Sequence, residues 1–520
     1  MKLSITQTLL LSLLFILSFT IQNVESAKIL AVFPFPGPSQ YILVQPYLKA
    51  LAAKGHEVTV INAFPQKQPI ANYRDVLVME VHENYAELIE QGKIKRNKWD
   101  AMTFLAGFFL NLTETVIKNP GVQKLLNTEK FDLIILEVLH TDAWYAFGRH
   151  FKAPMIGISS FGIDPVIDEL MGNMSPLSYS PLITAGLTER MTYLERLKNV
   201  ILSFMELIHV RVRLIPAQKK LIKTYLPHIK DDIWDLSTNF SIMLLNNHFS
   251  LSFPRPYVPS MVEVGGFQIH YKPKPLPQDI MKFLNSSSED VIYLSMGSNV
   301  KSKDFPPEKL KMLTEVFGSL PYKILWKFEN PTLPGKPKNV FINSWFPQPD
   351  VLAHPRVKLF ISHGGLLSTS ESVYHGKPML GLPVFYDQQM NIKKGIQSGF
   401  ALGLNFHTLP REEFKSSILE MMNNQKYINN AKTISNIYHD QPMKPLDLAI
   451  YWTEYVLRHK GAVHLKNPAQ SMNFIQKHSI DTVGVLVAAF ILCITIVIIA
   501  VWKVFKFVLG KKSIKKVKVN

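Results

Sequence analysis

Cysteine is nearly missing from this chain. Its 520 residues hold one, Cys493, so no intrachain disulfide framework and no cysteine-rich zinc site can form. Acids are also short: 40 Asp and Glu stand against 57 Lys and Arg, a formal net charge of +17. Seven of those cations are lysines between Lys503 and Asn520, where no acid occurs. The excess of +10 left elsewhere suits an anionic substrate or an anionic membrane surface. No basic helix with interleaved aromatics and no zinc-finger spacing is present, which argues against nucleic acid as a partner. No repeat of about 20–50 residues stands out, which argues against solenoids and propellers. At 47% hydrophobic and 19% charged, the chain is too apolar to be disordered. Its length allows two or three domains with sizeable cores.

Two long apolar runs lie at the ends. Residues 1–26 read as a signal peptide: Lys2, an apolar stretch from Leu9 to Ile21, and Val24 and Ser26 at the −3 and −1 positions of a cut before Ala27. The alternative is an uncleaved anchor. Residues 483–502 carry no charge; at 1.5 Å per residue they span about 30 Å, a bilayer core. A buried core helix rarely runs so long without a polar face. Lysines follow at 503, 506, 511 and 512, as expected of a cytosolic flank. The bulk of the chain, 27–470, is then luminal, with a cytosolic lysine-rich tail over 503–520. Lys516 and Lys518 resemble a retrieval signal for the endoplasmic reticulum; the alternative is plain binding to anionic head groups. Glycosylation sequons stand at Asn111, Asn173, Asn239 and Asn285.

Between the ends, strands alternate with helices. Lys28–Phe35, Glu57–Ala63, Phe131–Val138 and Pro154–Ser159 read as strands, with a helix through Ala53. Leu194, Leu197, Ile201, Met205 and Ile208 recur at helical spacing and predict a core face; a helix lying on a membrane is the alternative. Six prolines between Phe253 and Gln278 mark a linker, placed over 254–284. The alternation restarts with Val291–Ser295, Lys323–Lys327, Val340–Phe346, Val357–Ser362 and Met379–Val384. The expectation is an α/β protein: two Rossmann-like, doubly wound domains, 27–253 and 285–470, facing a cleft where two ligands meet.

The informative stretch runs from Trp345 to Asn391. A strand ends in His363-Gly364-Gly365 and a helix follows. The glycines let backbone approach a phosphate, and the helix start offers free N–H groups and a positive dipole end. His363 and Ser368 can donate to phosphate oxygens, Glu371 can accept from ribose hydroxyls, and Trp345 can stack on a flat base. Asp387 and Gln388 suit sugar hydroxyls. Singly, each is weak: a Gly-Gly after a strand is usually a turn, and a lone Trp is usually core. Jointly they supply base, ribose, diphosphate and sugar with partners in order.

This stretch closely resembles the signature of the UDP-glycosyltransferases, specifically their membrane-bound animal branch, and the resemblance covers nearly the whole chain. Leu366-Leu367-Ser368 looks like insect members; where mammalian relatives have Asn, this chain has Leu367. The resemblance implies the two-domain GT-B arrangement. It further implies inverting transfer from a UDP-sugar to small lipophilic acceptors, with no metal or other cofactor. By that resemblance Trp345 stacks on uracil and Gln348 contacts the nucleoside. His363, Gly365 and Ser368 hold the diphosphate, Glu371 the ribose, and Asp387 with Gln388 the sugar. Ser298 matches a phosphate contact, and Arg255 a basic residue near the diphosphate. The insect-like signature tilts the donor toward UDP-glucose over UDP-glucuronate. Homo- or hetero-oligomers are left open.

One position departs from the family. Where a histidine deprotonates the acceptor, this chain has Gln40; the partner acid matches Glu137. Glutamine takes no proton at neutral pH, and general-base help is typically worth ~10²–10⁴ in rate. Three readings follow. Gln40 orients acceptors that ionise easily, such as phenols, thiols or carboxylic acids. Or Glu137 acts directly, or His140 does if the strand has ended by Leu139. Or catalysis is lost, leaving a membrane-anchored protein that binds lipophiles or UDP-sugars.

Overall fold

A computed structural model describes residues 26–83, 85 and 98–515. The expected signal peptide, up to Glu25, and the Lys516–Asn520 motif lie outside the described residues. The described chain separates after Lys466 into two compact units.

The first unit holds two parallel sheets. β1 (Lys28–Phe33), β2 (Glu57–Asn62), β3 (Tyr73–Leu77), β4 (Leu133–Glu137), β5 (Met155–Ser159), β6 (Phe240–Leu245) and β7 (Met261–Glu263) form one sheet, ordered β3-β2-β1-β4-β5-β6-β7. Helix α1 (Pro38–Ala53) joins β1 to β2, α2 (Lys98–Lys118) precedes β4, and α3 (Tyr193–His209) lies between β5 and β6. The central strands are apolar runs because both faces are covered. Alternation sends Leu30, Val32, Ile134 and Leu136 into one core and Ile29, Ala31, Leu133 and Ile135 into the other.

β8 (Val291–Ser295), β9 (Lys323–Lys327), β10 (Val340–Asn343), β11 (Val357–Ser362), β12 (Met379–Gly381) and β13 (Ala401–Gly403) form the second sheet, ordered β10-β9-β8-β11-β12-β13. Helices α4 (Leu366–Tyr374) and α5 (Gln388–Gln397) follow β11 and β12. Each sheet reverses its strand order once, as in doubly wound folds.

Packing changes two boundaries and one helix face expected from the sequence. The proline-rich stretch is not a bare linker: it carries β7, the last strand of the first sheet. The chain after Lys444 leaves the second sheet, because helix α6 (Pro445–Arg458) packs Ala449, Ile450 and Val456 into the first sheet's core. There the Tyr47 and Thr453 hydroxyls meet at 2.5 Å. The stripe on α3 is not core either: Leu194, Leu197, Ile201 and Ile208 are exposed, and Met205 is half-buried.

The second unit contains the long helix α7 (Ile480–Lys515). Its apolar part, Ile480–Leu509, has a mean hydropathy of 3.1. Thirty residues of helix measure about 45 Å, enough to cross a bilayer.

Candidate active site

A parallel sheet opens a crevice at its carboxyl edge where strand order reverses. The reversal falls between β1 and β4 in the first sheet and between β8 and β11 in the second. Gln40 follows β1 and Glu137 ends β4; Ser298 follows β8 and His363 follows β11. Both pairs of expected residues therefore sit at switch points.

Around β11 the side chains form one connected cluster. The His363 imidazole is seated between two glycines. A Cβ on Gly297 would stand 2.5 Å from its ring, and one on Gly365 2.6 Å. Gly297 also adopts φ +78°, which other residues avoid. His363 Nδ1 lies 3.3 Å from Ser362 Oγ. Burial, with Lys327 adding to it, pulls the His363 pKa down to about 4, so the ring is neutral at pH 7. No side chain caps α4 at Gly365, so its first N–H groups point at whatever occupies the crevice. One turn in, Gln348 Nε2 donates to Ser368 Oγ at 3.0 Å and to Glu371 Oε2 at 2.8 Å. Tyr293 donates to Gln348 Oε1 at 3.3 Å. Glu371 is buried, and desolvation raises its pKa to about 7. Trp345, by contrast, is 54% exposed, so its indole face is open to a stacking partner.

Asp387 and Gln388 begin α5 and are tied down. Asn391 Nδ2 donates to Asp387 Oδ2 at 2.6 Å and to the Gly364 carbonyl at 3.0 Å, clamping the acid against the glycine loop. Burial raises the Asp387 pKa to about 6. Gln388 Oε1 accepts from the Val384 and Phe385 amides at 2.7 and 3.0 Å. Both lone-pair sites are used, so only its NH₂ end can address a ligand. Among the described residues Arg255 hydrogen-bonds to Asp168 and Ser175 rather than to this cluster. Its guanidinium forms an ion pair with Asp168, and both side chains are almost fully buried. With Lys394, Asn391, Thr369 and Phe161 it lines a pocket between the sheets.

In the first domain Gln40 is 5% exposed, and its Oε1 accepts from Ser39 Oγ at 2.8 Å. Glu137 is fully buried; Ser160 donates to its Oε1, and its Oε2 has no partner. Desolvation raises its pKa to about 8. Among the described residues no hydrogen bond joins Gln40 to Glu137. β4 ends at Glu137, so strand alternation does not govern His140. His140 takes a left-handed φ of 55°, and its ring lies 5.8 Å from Phe109. Burial lowers its pKa against the pull of Asp142. Phe35, in the loop before α1, packs against Tyr85, Phe108 and Phe109 at ring separations of 5.8–6.3 Å.

Lys327, Asn391 and Tyr293 are absent from the sequence-based set. Lys327 Nζ donates to the Gly297 carbonyl at 2.9 Å and lies 5.6 Å from the Trp345 ring centre, linking the Gly297 loop to Trp345. Its signal was its place as the last residue of β9, beside the switch point.

Comparison with known proteins agrees with this geometry. The family described as UDP-glucoronosyl and UDP-glucosyl transferase matches residues 28–516. UDP-glycosyltransferase UGT5 of Dactylopius coccus is 37% identical over 481 residues, 91% of each chain. UDP-glucuronosyltransferase 2A3 of Homo sapiens is 30% identical over 500 residues, 90% of this chain and 91% of its own. Among solved structures, the calicheamicin glycosyltransferase CalG4 superposes with a TM-score of 0.60 at 15% identity, over 84% of this chain and 99% of its own. UDP-glucose: anthocyanidin 3-O-glucosyltransferase, solved with UDP, gives 0.57 at 18% identity, over 84% and 100%. The fold is that of a GT-B glycosyltransferase. The chain belongs to the UDP-glucuronosyl and UDP-glucosyl transferase family.

Proposed function

We propose that the protein transfers glucose or glucuronate from its UDP-sugar, with inversion and without a metal, to small lipophilic acceptors that ionise easily. The observation that carries this reading is a well-connected donor cluster opposite a first-domain switch point whose base position is Gln40. The aromatic group of Phe35, Tyr85, Phe108 and Phe109 supports an apolar acceptor. In the proposed reaction the acceptor oxygen or sulfur attacks the anomeric carbon as the bond to UDP breaks. The charge on departing UDP is met by His363, Ser368 and the start of α4. Trp345 holds the uracil, Glu371 the ribose, and Asp387 with Gln388 the sugar. Phenols, thiols and carboxylic acids reach their anionic form without a strong base, so Gln40 need only orient them.

A second reading rests on Glu137. Its Oε2 is buried without a partner and its pKa is raised to about 8, which suits a base that takes the acceptor proton near neutrality. We place the site in the lumen of the endoplasmic reticulum, with α7 as a single span and the lysine-rich tail in the cytosol.

The test is UDP release from full-length protein in microsomes, given each UDP-sugar and a phenol, a thiol, a carboxylic acid or an alcohol. Expected is acceptor-dependent release that falls steeply as acceptor pKa rises and is lost in His363→Ala. Equal rates for phenols and alcohols overturn the easy-ionisation reading. Activity found only in Gln40→His identifies a membrane-anchored binding protein instead.

A further inference from the structure

Helix α3 is built inside out. Its inward face is held by a polar residue: Asn199, fully buried, donates to the Leu177 and Ser180 carbonyls at 2.9 and 3.0 Å and accepts from the Leu182 amide at 2.8 Å. A capping box between Thr192 and Glu195 fixes its start. With the helix held this way, one row of its apolar residues faces solvent, while Leu202 packs inward. Leu194, Leu197, Ile201, Phe204, Ile208 and Val212 follow one another at steps of three or four and are each 46–73% exposed. The row continues past the helix end through the Val210–Leu214 turn. Helices of soluble proteins normally bury such a stripe.

The charges along it are sorted by sign. Between residues 189 and 213 the exposed charged side chains are Arg190, Arg196, Lys198, Arg211 and Arg213, while Glu189, Glu195 and Glu206 are half-buried. Arg211 is shared with Glu169. Aromatic rings stand at both ends: Tyr193 is 72% exposed, and Trp234 lies 5.3 Å beneath the Arg211 guanidinium. An apolar strip rimmed by cations, with Tyr and Trp at its ends, matches the water–lipid boundary of an anionic bilayer.

We infer that the exposed face of α3 is a peripheral docking surface for an anionic lipid bilayer, holding the first domain against the membrane. A second copy of the chain is a poorer occupant, because a self-complementary contact would bring these cations toward their own counterparts. The inference rests on the reading of α7 as a membrane span, since that span brings the chain to a bilayer. Resistance of the reconstituted protein to alkaline extraction tests that reading separately.

The single native cysteine makes docking measurable. The full-length chain carries Cys493→Ala with Leu197→Cys, labelled with a polarity-sensitive fluorophore; Lys311→Cys, on the second domain, is the control. Both are reconstituted into phosphatidylcholine vesicles with and without phosphatidylserine. The expected result is a shift of emission to shorter wavelength at position 197. Quenching by brominated lipid should be several-fold stronger there than at 311, with a gain from phosphatidylserine that Arg196→Glu with Lys198→Glu abolishes while UDP binding is kept. Equal lipid quenching at 197 and 311 overturns the inference. So does shielding that grows with protein density without lipid quenching, which identifies self-contact.

Discussion

The His363 ring fills the space a side chain on Gly297 would need, so the end of β8 and the end of β11 are fitted to each other through one imidazole. This fit joins a glycine and a histidine 66 residues apart in sequence.

Gly297→Ala should lower UDP affinity about tenfold or more, equivalent to ~1.4 kcal/mol, by pushing the ring aside. The left-handed φ adds about 1–2 kcal/mol of strain. Titration calorimetry with UDP checks this. In a His363→Ala background the same change should cost little further affinity, because the clash partner is gone.

Glu137→Gln should stabilise the protein at alkaline pH. Folding raises the Glu137 pKa from its ordinary 4.5 to about 8, so the folded state binds the extra proton. This group's contribution to stability is then lost as pH rises from about 4.5 to about 8 and is absent above that. The variant has no such loss and should melt higher at pH 8.5 by a few kcal/mol equivalent, with the gap closing toward pH 4.5. Melting temperature against pH reads this. His363 carries the opposite sign: its lowered pKa contributes stability above pH 6.5 that fades as pH falls toward about 4.

Arg255→Met should destabilise by about 3–5 kcal/mol, because it strands Asp168 as a buried charge. Asp168→Leu combined with Arg255→Met should recover much of that loss. UDP affinity should change far less than stability, since Arg255 is bonded to Asp168 rather than to the β11 cluster. Chemical denaturation and UDP titration on the same variants separate the two effects. A large loss of UDP affinity in a stably folded Arg255→Met would put Arg255 on the diphosphate.

Of the four sequons, Asn173 should stay unmodified. It is buried, and its amide donates to Asp168 Oδ1 at 2.7 Å and to the Pro256 carbonyl at 2.9 Å. Asn239 and Asn285 are exposed, before a strand and at a helix end. In a luminal protein, Asn285→Gln and Asn239→Gln should each remove one glycan on a gel. Asn173→Gln should remove none but cost about 1–3 kcal/mol in stability.

A chain ending at Lys466 should fold and bind UDP, whereas one ending at Lys444 should not accumulate as folded protein. The shorter chain strips α6 from the first sheet and exposes the core around Tyr47 and Val456. Soluble yield and circular dichroism distinguish the two.

Much of this was readable from residues because parallel strands buried on both faces are continuous apolar runs. β8, β9 and β11 coincide with the runs Val291–Ser295, Lys323–Lys327 and Val357–Ser362. β7 and β13 have three residues each and β3 is only partly buried; edge strands with one neighbour leave little apolar signal. β6 carries a full apolar run, and nothing physical hid it. The apolar spacing of α3 gave the helix correctly but not the side it turns inward, because periodicity is blind to which face Asn199 occupies. The destination of α6 was invisible for a related reason: a helix's pattern says that it packs, not on which sheet. In the site, the residues of the glycine loop were legible as a motif, whereas Lys327 acts through position alone.

The chain passes between its two sheets twice, after β7 and again before α6, and the passages lie side by side. Tyr438 donates to the Gly265 carbonyl at 2.9 Å, Leu446 N–H donates to Tyr271 Oη at 3.3 Å, and Lys444 sits 4.2 Å from the Tyr271 ring centre. Two adjacent pins define an axis. A swing of one sheet about that line would keep the paired passages joined, whereas a slide would break their contacts. Such a swing would part Lys393 from the Gly186 carbonyl, now at 2.6 Å, and Gln397 from Thr188, now at 2.9 Å. Phe161 and Tyr386, with ring centres 4.8 Å apart, would separate with them. Leu367 of α4 also packs against the first sheet's core, so parting the sheets there would cost apolar burial as well as these polar and aromatic contacts.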